Sequence, residues 1–386
     1  MRGGSETPGS PDVLAFTGGG TGGHIYPGLA VADRLRELLS VRGRSVRFVW
    51  LGSTKDSDRA AVEAAGLEFI PIPSGKLRRE LSVENLADAF RVLAGYGASR
   101  RVLSKLRPRL LFSKGGYVSV PPCRAAAALG IPVFTHESDF SPGLATRLNA
   151  GIAETVFVSY EETRDAFPPA RRPSVVVSGQ PIRAAIRSGD PAAGRSRAGF
   201  PEGLPLILVI GGSQGARRLN DLVAAALPEL LPKACVIHQT GPGNPGVPRE
   251  ALPPGLEGRY RSFEYLRGEL PDLLAAASIY VGRAGAGSLW ECAAAGLPMV
   301  LVPLAGTGTR GDQVENARWF AARRAARVLE GRDAEDPSAL VSACLGFLED
   351  AEGLRAASRA ARELGARDAA DIIARAIADR AWGNPS

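Results

Sequence analysis

No apolar run in these 386 residues approaches the roughly 18 that a membrane-spanning helix needs. The richest stretch, Ala293 to Leu304, is interrupted by Gly296, Pro298 and Pro303, which excludes a transmembrane reading. No apolar signal-peptide core precedes the first strand-like run. Residues 1–11 of MRGGSETPGSPD read as a flexible leader, and secretion is not expected. Cysteine is scarce: Cys123, Cys235, Cys292 and Cys344 lie far apart with no C-x-x-C pair. That spacing excludes a disulfide framework and a zinc site, and points to buried thiols in a cytosolic protein. Glycine and proline, 46 and 29 residues, stay below the roughly 25–30 % of low-complexity chains. A Walker A motif with its Lys is absent, as is any readable Ser–His–Asp spacing.

What is present suffices for more than one core. Hydrophobic residues make up 45 % of the chain, and its length favours two domains at roughly 150 residues each. The net charge of +7 is concentrated. Nine basic residues between Lys76 and Arg109 face only Glu80, Glu84 and Asp88, so six of the seven net charges fall in 34 residues. Such a segment suits an anionic surface or ligand, or is an arginine-rich solvated helix face.

Short β-branched or aromatic runs alternate with alanine-rich helical stretches. Strands are expected at Val13–Thr17, Val46–Leu51, Phe69–Ile72, Leu110–Phe112, Ile131–Thr135, Val156–Ser159 and Val175–Val177, then at Leu206–Ile210, Cys235–His238, Ile279–Val281 and Met299–Val302. Helices are expected over Gly28–Ser40, Ser82–Lys105, Leu219–Leu231 and Ser288–Ala295, with a packing helix from Asp368 to Trp382. This alternation predicts an α/β protein with two doubly wound parallel sheets. The expected division is an N-terminal domain at 12–180, a second domain at 181–364 and a terminal helix at 365–383 returning to the first.

Each half opens with a strand running into a glycine loop. In the first, FTGGGTGGHIYPG, Gly18, Gly20 and Gly23 satisfy G-x-G-x-x-G. A dinucleotide reading also wants an acidic residue ending the second strand, and Trp50–Leu51–Gly52–Ser53 has none. A glycine run before a helix N-terminus suits anions, and His24 at its mouth is either a proton-transfer group or a packing residue. Three more such loops follow strands: Ser113–Ser119, Gly211–Asn220 and Gly282–Glu291. Four at the ligand edge of open sheets suggest one ligand system. Glu291 suits two ribose hydroxyls, or else complements a helix N-terminus. Asp56–Ser57–Asp58 has the D-x-D form of a metal-held diphosphate site but sits where Asp commonly caps a helix, the reading preferred here. Neighbouring residues in His136–Glu137–Ser138–Asp139 point different ways, which speaks against a metal there.

Seven motifs occur in order: GGTGGHIYPGLAVA (Gly19–Ala32), KGGYVSVP (Lys114–Pro121), HESDFSPGLA (His136–Ala145), GQPIR (Gly179–Arg183), GGSQGARRLN (Gly211–Asn220), RAGAGSLWECAAAGLP (Arg283–Pro298) and GDQVENA (Gly311–Ala317). Together they resemble the MurG family of N-acetylglucosaminyltransferases over about Val13 to Ala317. The resemblance implies a GT-B fold of two Rossmann-like domains facing a cleft. It implies inverting transfer from UDP-N-acetylglucosamine to the muramyl 4-hydroxyl of lipid I, making lipid II for peptidoglycan. A GT-B enzyme glycosylating another lipid such as diacylglycerol is the alternative. By the same resemblance His24 is the general base. Thr21, Gly22, Gly23, Asp139, Arg183, Ser213, Leu266, Ala286, Gly287, Ser288, Glu291 and Gln313 contact the donor, and Gly115, Gly116 and Tyr117 take the acceptor diphosphate. No cofactor, metal or nucleic acid is implied. The basic segment, with Leu77, Leu81, Phe90, Leu93 and Tyr96 among its arginines, would sit on the anionic cytoplasmic face of the membrane as a peripheral contact. Two departures stand out. Many members read H-E-Q-N where this chain has His136–Glu137–Ser138–Asp139, and Asp312 stands where His is usual.

Overall fold

A computed structural model describes residues 12–75, 83–200, 203–212, 216–266, 268–306 and 311–383, without the side chains of 83–87. The expected leader, Leu77, Leu81 and Ser213 lie outside these residues. The chain forms two compact units, Met1–Pro181 with Asp368–Ser386, and Ile182–Arg367.

The first unit runs β1 (Asp12–Thr17), α1 (Gly22–Val41), β2 (Val46–Gly52), α2 (Asp56–Ala64), β3 (Glu68–Pro71), α3 (Val83–Leu106), β4 (Leu111–Ser113), α4 (Val120–Ala128), β5 (Val133–Glu137), α5 (Leu144–Ala150), β6 (Thr155–Val158) and β7 (Val175–Val177). The second follows with α6 (Ala184–Arg187), α7 (Pro191–Ala198), β8 (Leu206–Ile210), α8 (Arg217–Leu230), β9 (Cys235–Gln239), β10 (Tyr260–Phe263), α9 (Leu270–Ala276), β11 (Ile279–Gly282), α10 (Ala286–Ala295), β12 (Met299–Leu301), α11 (Asp312–Ala322), β13 (Ala326–Val328), α12 (Pro337–Leu348) and α13 (Ala351–Leu364). A last helix, α14 (Ala369–Trp382), belongs to the first unit.

Both sheets are parallel throughout. Their orders are β3-β2-β1-β4-β5-β6-β7 and β10-β9-β8-β11-β12-β13. Strand order therefore reverses between β1 and β4 in one unit and between β8 and β11 in the other. At such a switch point the loops leaving the carboxyl ends diverge and open a crevice.

Two of the strands have no counterpart among the expected runs. β10 and β13 are the edge strands of the second sheet, and past their first, buried residue they carry Arg261, Ser262 and Arg327, so no apolar run marks them. β5 sits two residues later than expected because His136 and Glu137 still pair with Phe157 and Val158. α1 begins at Gly22, six residues before Gly28, with Pro27 inside it. Pro27, sixth in the helix, cannot donate the i→i−4 hydrogen bond and its ring crowds the preceding turn, a local cost that the helix carries.

Each face of the first sheet has its own core. Leu14 and Phe16 of β1 point toward α1 and α14, and Ala15 with Val49 and Leu51 points to the face covered by α3 and α4. All four cysteines are free and buried, and burial pushes the Cys123 and Cys344 thiols up to about 12. α14 lays Ile373, Ala374, Ile377 and Ala378 into the α1 side of the core. Ion pairs Arg34–Asp371 (2.7 Å) and Arg380–Glu154 (2.6 Å), with Trp382 Nε1 donating to Asp12 Oδ2 (2.7 Å), clasp its rim. Exposed pairs of this kind stabilise little, so the buried face should dominate. Ile377→Ala should therefore cost about 2–5 kcal/mol in urea unfolding of the first unit, whereas a loss under about 1 kcal/mol would show that the helix is held by its rim.

Candidate active site

At the carboxyl end of β1 the chain passes through Gly18–Gly20, all at positive φ, before α1 starts. The loop is held from the side by β2 and the segment after it. Trp50 Nε1 donates to Gly18 O (3.0 Å), Lys55 Nζ donates to Gly20 O (2.8 Å), and Asp58 Oδ2 accepts from Gly20 N–H (2.7 Å) and from Ser53 Oγ (2.6 Å). Asp58 thus anchors the glycine loop and does not cap α2, whose N-cap is Lys55. Among the described residues no group of three His, Cys, Asp or Glu could hold a metal.

Because α1 starts early, His24 lies in its first turn and not in a projecting loop. The N-cap, Thr21, makes no side-chain bond to the helix amides. Its Oγ1 lies 3.0 Å from His24 Nδ1 and orients the imidazole. Gly116 passes directly beside this ring: a Cβ there would lie 3.2 Å from His24 Cγ and Nδ1, and φ is +76°. The other two histidines are core residues. His136 Nε2 is 2.9 Å from Gly179 O, and burial holds its pKa well below the usual value. His238 is set between Tyr260 OH and Asn220 Oδ1, both at 3.1 Å, and burial lowers it to about 4. Of the three histidines only His24 is half-buried and not buried.

The loops after β4 and β5 complete this edge. Gly115 N–H is already committed to Ser113 Oγ (3.1 Å), and the turn over Tyr117–Ser119, with Gly116 as its N-cap, leaves the amides of Tyr117 and Val118 without carbonyls inside the turn. The Tyr117 ring lies against Gly20. Burial, followed by the charges of Asp58 and Asp88, raises the Tyr117 phenol above its ordinary pKa and keeps it protonated. Glu137 accepts from the amides of Ser138 (2.8 Å), Asp139 (3.0 Å) and Gly143 (3.0 Å), which shapes the turn carrying Asp139. Lys114, buried, reaches Ser138 Oγ. The motifs containing Lys114 and Glu137 do not mark these contacts, and Asp58, expected among the caps of α2, instead holds the glycine loop.

In the second unit, α10 begins at Ala286 with Gly285 as N-cap, so Ala286, Gly287 and Ser288 form its first turn. That turn contains no acidic residue, so charge complementarity does not account for Glu291. Glu291 lies one turn further on and accepts from Arg183 Nη2 (3.1 Å) and Nε (3.3 Å). Burial raises its pKa, and the Arg183 guanidinium opposes that rise. Asn316 Nδ2 donates to Ala284 O (3.3 Å) and steadies the entry to α10, a role no sequence signal assigned. Gln313 Oε1 accepts from Leu304 N–H (2.9 Å), so Gln313 offers a ligand its amide hydrogens. Leu266 N–H donates to Gln239 Oε1 (2.9 Å), and a ligand using that amide must displace Gln239.

The chain matches the glycosyltransferase family 28 N-terminal domain over residues 14–158 and the glycosyltransferase family 28 C-terminal domain over residues 206–373. It is similar to the UDP-N-acetylglucosamine–N-acetylmuramyl-(pentapeptide) pyrophosphoryl-undecaprenol N-acetylglucosamine transferase of Treponema denticola, 46 % identical over 356 residues that cover 88 % of this chain and 90 % of that one. The protein of the same name from Shouchella clausii is 38 % identical over 319 residues, 82 % and 86 % of the two chains. The crystal structure of Acinetobacter baumannii MurG aligns with a TM-score of 0.72 at 22 % identity, over 95 % of this chain and 99 % of that chain. That likeness concerns the fold, two doubly wound parallel-sheet units of the GT-B kind.

The glycine loop's dependence on Asp58 is open to measurement. Asp58→Ala removes the acceptor of a buried N–H and a buried hydroxyl and should cost about 1–3 kcal/mol in urea unfolding followed by tryptophan fluorescence. Ser53→Ala should cost less, and the double variant less than the sum of the two, since both act on one network. Simple additivity would mean that the bonds are not coupled.

Proposed function

This chain belongs to glycosyltransferase family 28, and from that membership we infer that it transfers N-acetylglucosamine from UDP-N-acetylglucosamine to N-acetylmuramyl-(pentapeptide) pyrophosphoryl-undecaprenol, lipid I, yielding lipid II. The acceptor's muramyl 4-hydroxyl attacks the anomeric carbon, the bond to the UDP oxygen breaks, and configuration inverts. His24 takes the hydroxyl proton. The observation that carries this assignment is the Thr21–His24 contact. A base acting through Nε2 needs its own proton on Nδ1, and Thr21 Oγ1 is there to accept it.

The departing UDP carries the charge that must be stabilised. In the second unit the first-turn amides of α10 and the Arg183 guanidinium are suited to it, and donors of this type contribute roughly 3–4 kcal/mol each in comparable transition states. Glu291 takes the ribose hydroxyls, Gln313 the sugar, and Leu266 the uracil by its backbone. Ala286, Gly287 and Ser288 hold the nucleotide's phosphates. Thr21, Gly22, Gly23 and Asp139 are also assigned to the donor, and Gly116 and Tyr117, with Gly115 shaping the turn, to the acceptor diphosphate. Ser213 is assigned to the donor on its motif alone.

The lipid acceptor requires a membrane surface, and we assign α3 to it. Phe90 and Leu93 are 65 % and 66 % exposed, and the exposed Arg100, Arg101 and Lys105 continue down the helix. Tyr96 does not join this face, because it packs into the core beneath α3. Arg91 is paired with Asp88 (2.8 Å). No helix among the described residues is long and apolar enough to cross a membrane, so contact at the cytoplasmic face would be peripheral.

Two experiments test these assignments. His24→Ala should lower turnover by about 10²–10⁴-fold in a UDP-release assay with a short-chain lipid I analogue, with UDP affinity unchanged. Retained turnover would remove His24 from the chemistry, and donor-binding wild type that makes no lipid II would favour a different lipid acceptor. Phe90→Ser with Leu93→Ser should weaken co-sedimentation with anionic vesicles by about tenfold or more, and binding should also fall with salt. Unchanged sedimentation would make α3 an ordinary solvated helix.

A further inference from the structure

Lysine is rarely buried, because an ammonium loses its hydration unless other groups replace it. Lys114 is 1 % exposed, and it sits at the β1/β4 switch point. Its N–H extends the ladder to Thr17 O (2.8 Å). Its stem passes so close to the first glycine loop and to α1 that a Cβ on Gly18 or Gly28 would lie 3.3 or 3.6 Å from its own. At the far end the ammonium donates to Ser138 Oγ, in the turn that Glu137 shapes. One side chain thus touches the loops following β1, β4 and β5.

We propose that Lys114 is a positioning residue for the transfer reaction: it braces these three loops and offsets one of the two negative charges that Glu137 and Asp139 bring to this edge, so that a diphosphate-bearing substrate meets a less negative surface. The proposal rests on the transferase reading and on Asp139 facing substrate. Glu137 already spends both oxygens on main-chain amides, so its charge is spread but not cancelled. Asp139 lies one residue beyond the ammonium's hydroxyl partner. A carboxylate at that position would repel a diphosphate, and the Lys114 cation, whose field acts on Asp139 as well as Glu137, lessens that repulsion.

The ionisable groups around Lys114 are few. Burial lowers it to about 8, while Glu137 and then Asp139 hold its proton on. His136 is kept neutral by burial and by Lys114 itself. The first glycine loop lies on its other side, with Gly18 against the Lys114 Cβ, and burial raises the Tyr117 phenol above its ordinary pKa. Lys114 therefore loses its charge as pH rises through about 8, and an activity limb is expected there.

The test is a double-mutant cycle on the full chain, with UDP release measured against UDP-N-acetylglucosamine and the lipid I analogue. Lys114→Met should lower kcat/KM by about 10- to 100-fold, mostly through KM, and should abolish the alkaline limb. With Asp139→Asn already present, the same substitution should cost several-fold less than it does alone, because one of the two carboxylates it offsets is gone while Glu137 and the bracing contacts remain. Asp139→Asn alone should move the alkaline limb to lower pH. Circular dichroism and UDP binding report whether Lys114→Met folds, and if it does not, the shift in Asp139→Asn decides. Equal costs in both backgrounds, or a limb unmoved by Asp139→Asn, would overturn the proposal. Failure of the wild type to make lipid II would instead overturn the transferase reading, and is seen without any variant.

Discussion

A parallel strand ends where its loop must leave the sheet, and at the centre of a doubly wound sheet that loop is still wholly or partly buried. Every polar main-chain atom there needs a partner, and water is not at hand to supply one. The first unit meets this demand with carboxylates placed among amides. Asp58 accepts from Gly20 and Ser53, and Glu137 accepts from Ser138, Asp139 and Gly143. Each anion is stable only in that setting, and each loop has its shape only because the anion is there. The glycine run gives room for a ligand, but the neighbouring carboxylates give it a fixed shape.

This explains which parts of the fold could be read from the sequence. Central strands such as LILVI are buried on both faces and stand out as apolar runs. β10 exposes Arg261, Ser262 and Phe263, and β13 exposes Arg327 at its centre, so neither shows an apolar run. The start of α1 was hidden for another reason. Gly22, Gly23 and Pro27 are poor helix formers, and propensity places them in a loop. Packing of Ile25, Pro27 and Leu29 overrides it, and so brings His24 onto the helix.

The site was legible to a different degree. Its glycine loops and His24 could be placed by pattern, since strand, turn and helix N-terminus follow one another in sequence. Partnerships across the sheet could not. Asp58 reaches back 38 residues to Gly20, and Lys114 reaches 24 residues forward to Ser138. Nothing local distinguishes Asp58 from an ordinary capping residue, or Lys114 from a surface lysine beside glycines. Their meaning depends on which strands are neighbours, and β1 lies beside β4 only because the chain crosses over between β3 and β4.

The second unit poses the same problem with charges of both signs. Arg183 and Glu291 bond to each other at 3.1 and 3.3 Å, which gives the largely buried Glu291 carboxylate a charged partner. Under the proposed assignment a nucleoside diphosphate offers each a new partner, phosphate oxygens for the guanidinium and ribose hydroxyls for the carboxylate. Binding need not first create a buried charge, because neither group starts unpaired. It exchanges one internal pair for two contacts with ligand, or keeps the pair and adds to it, since a guanidinium has five N–H donors and a carboxylate about four acceptor sites. Burial raises the Glu291 pKa, so a guanidinium nearby also helps to keep the carboxylate ionised as an acceptor for hydroxyls. A site built this way is ordered before the donor arrives, and less of the binding free energy goes into arranging it.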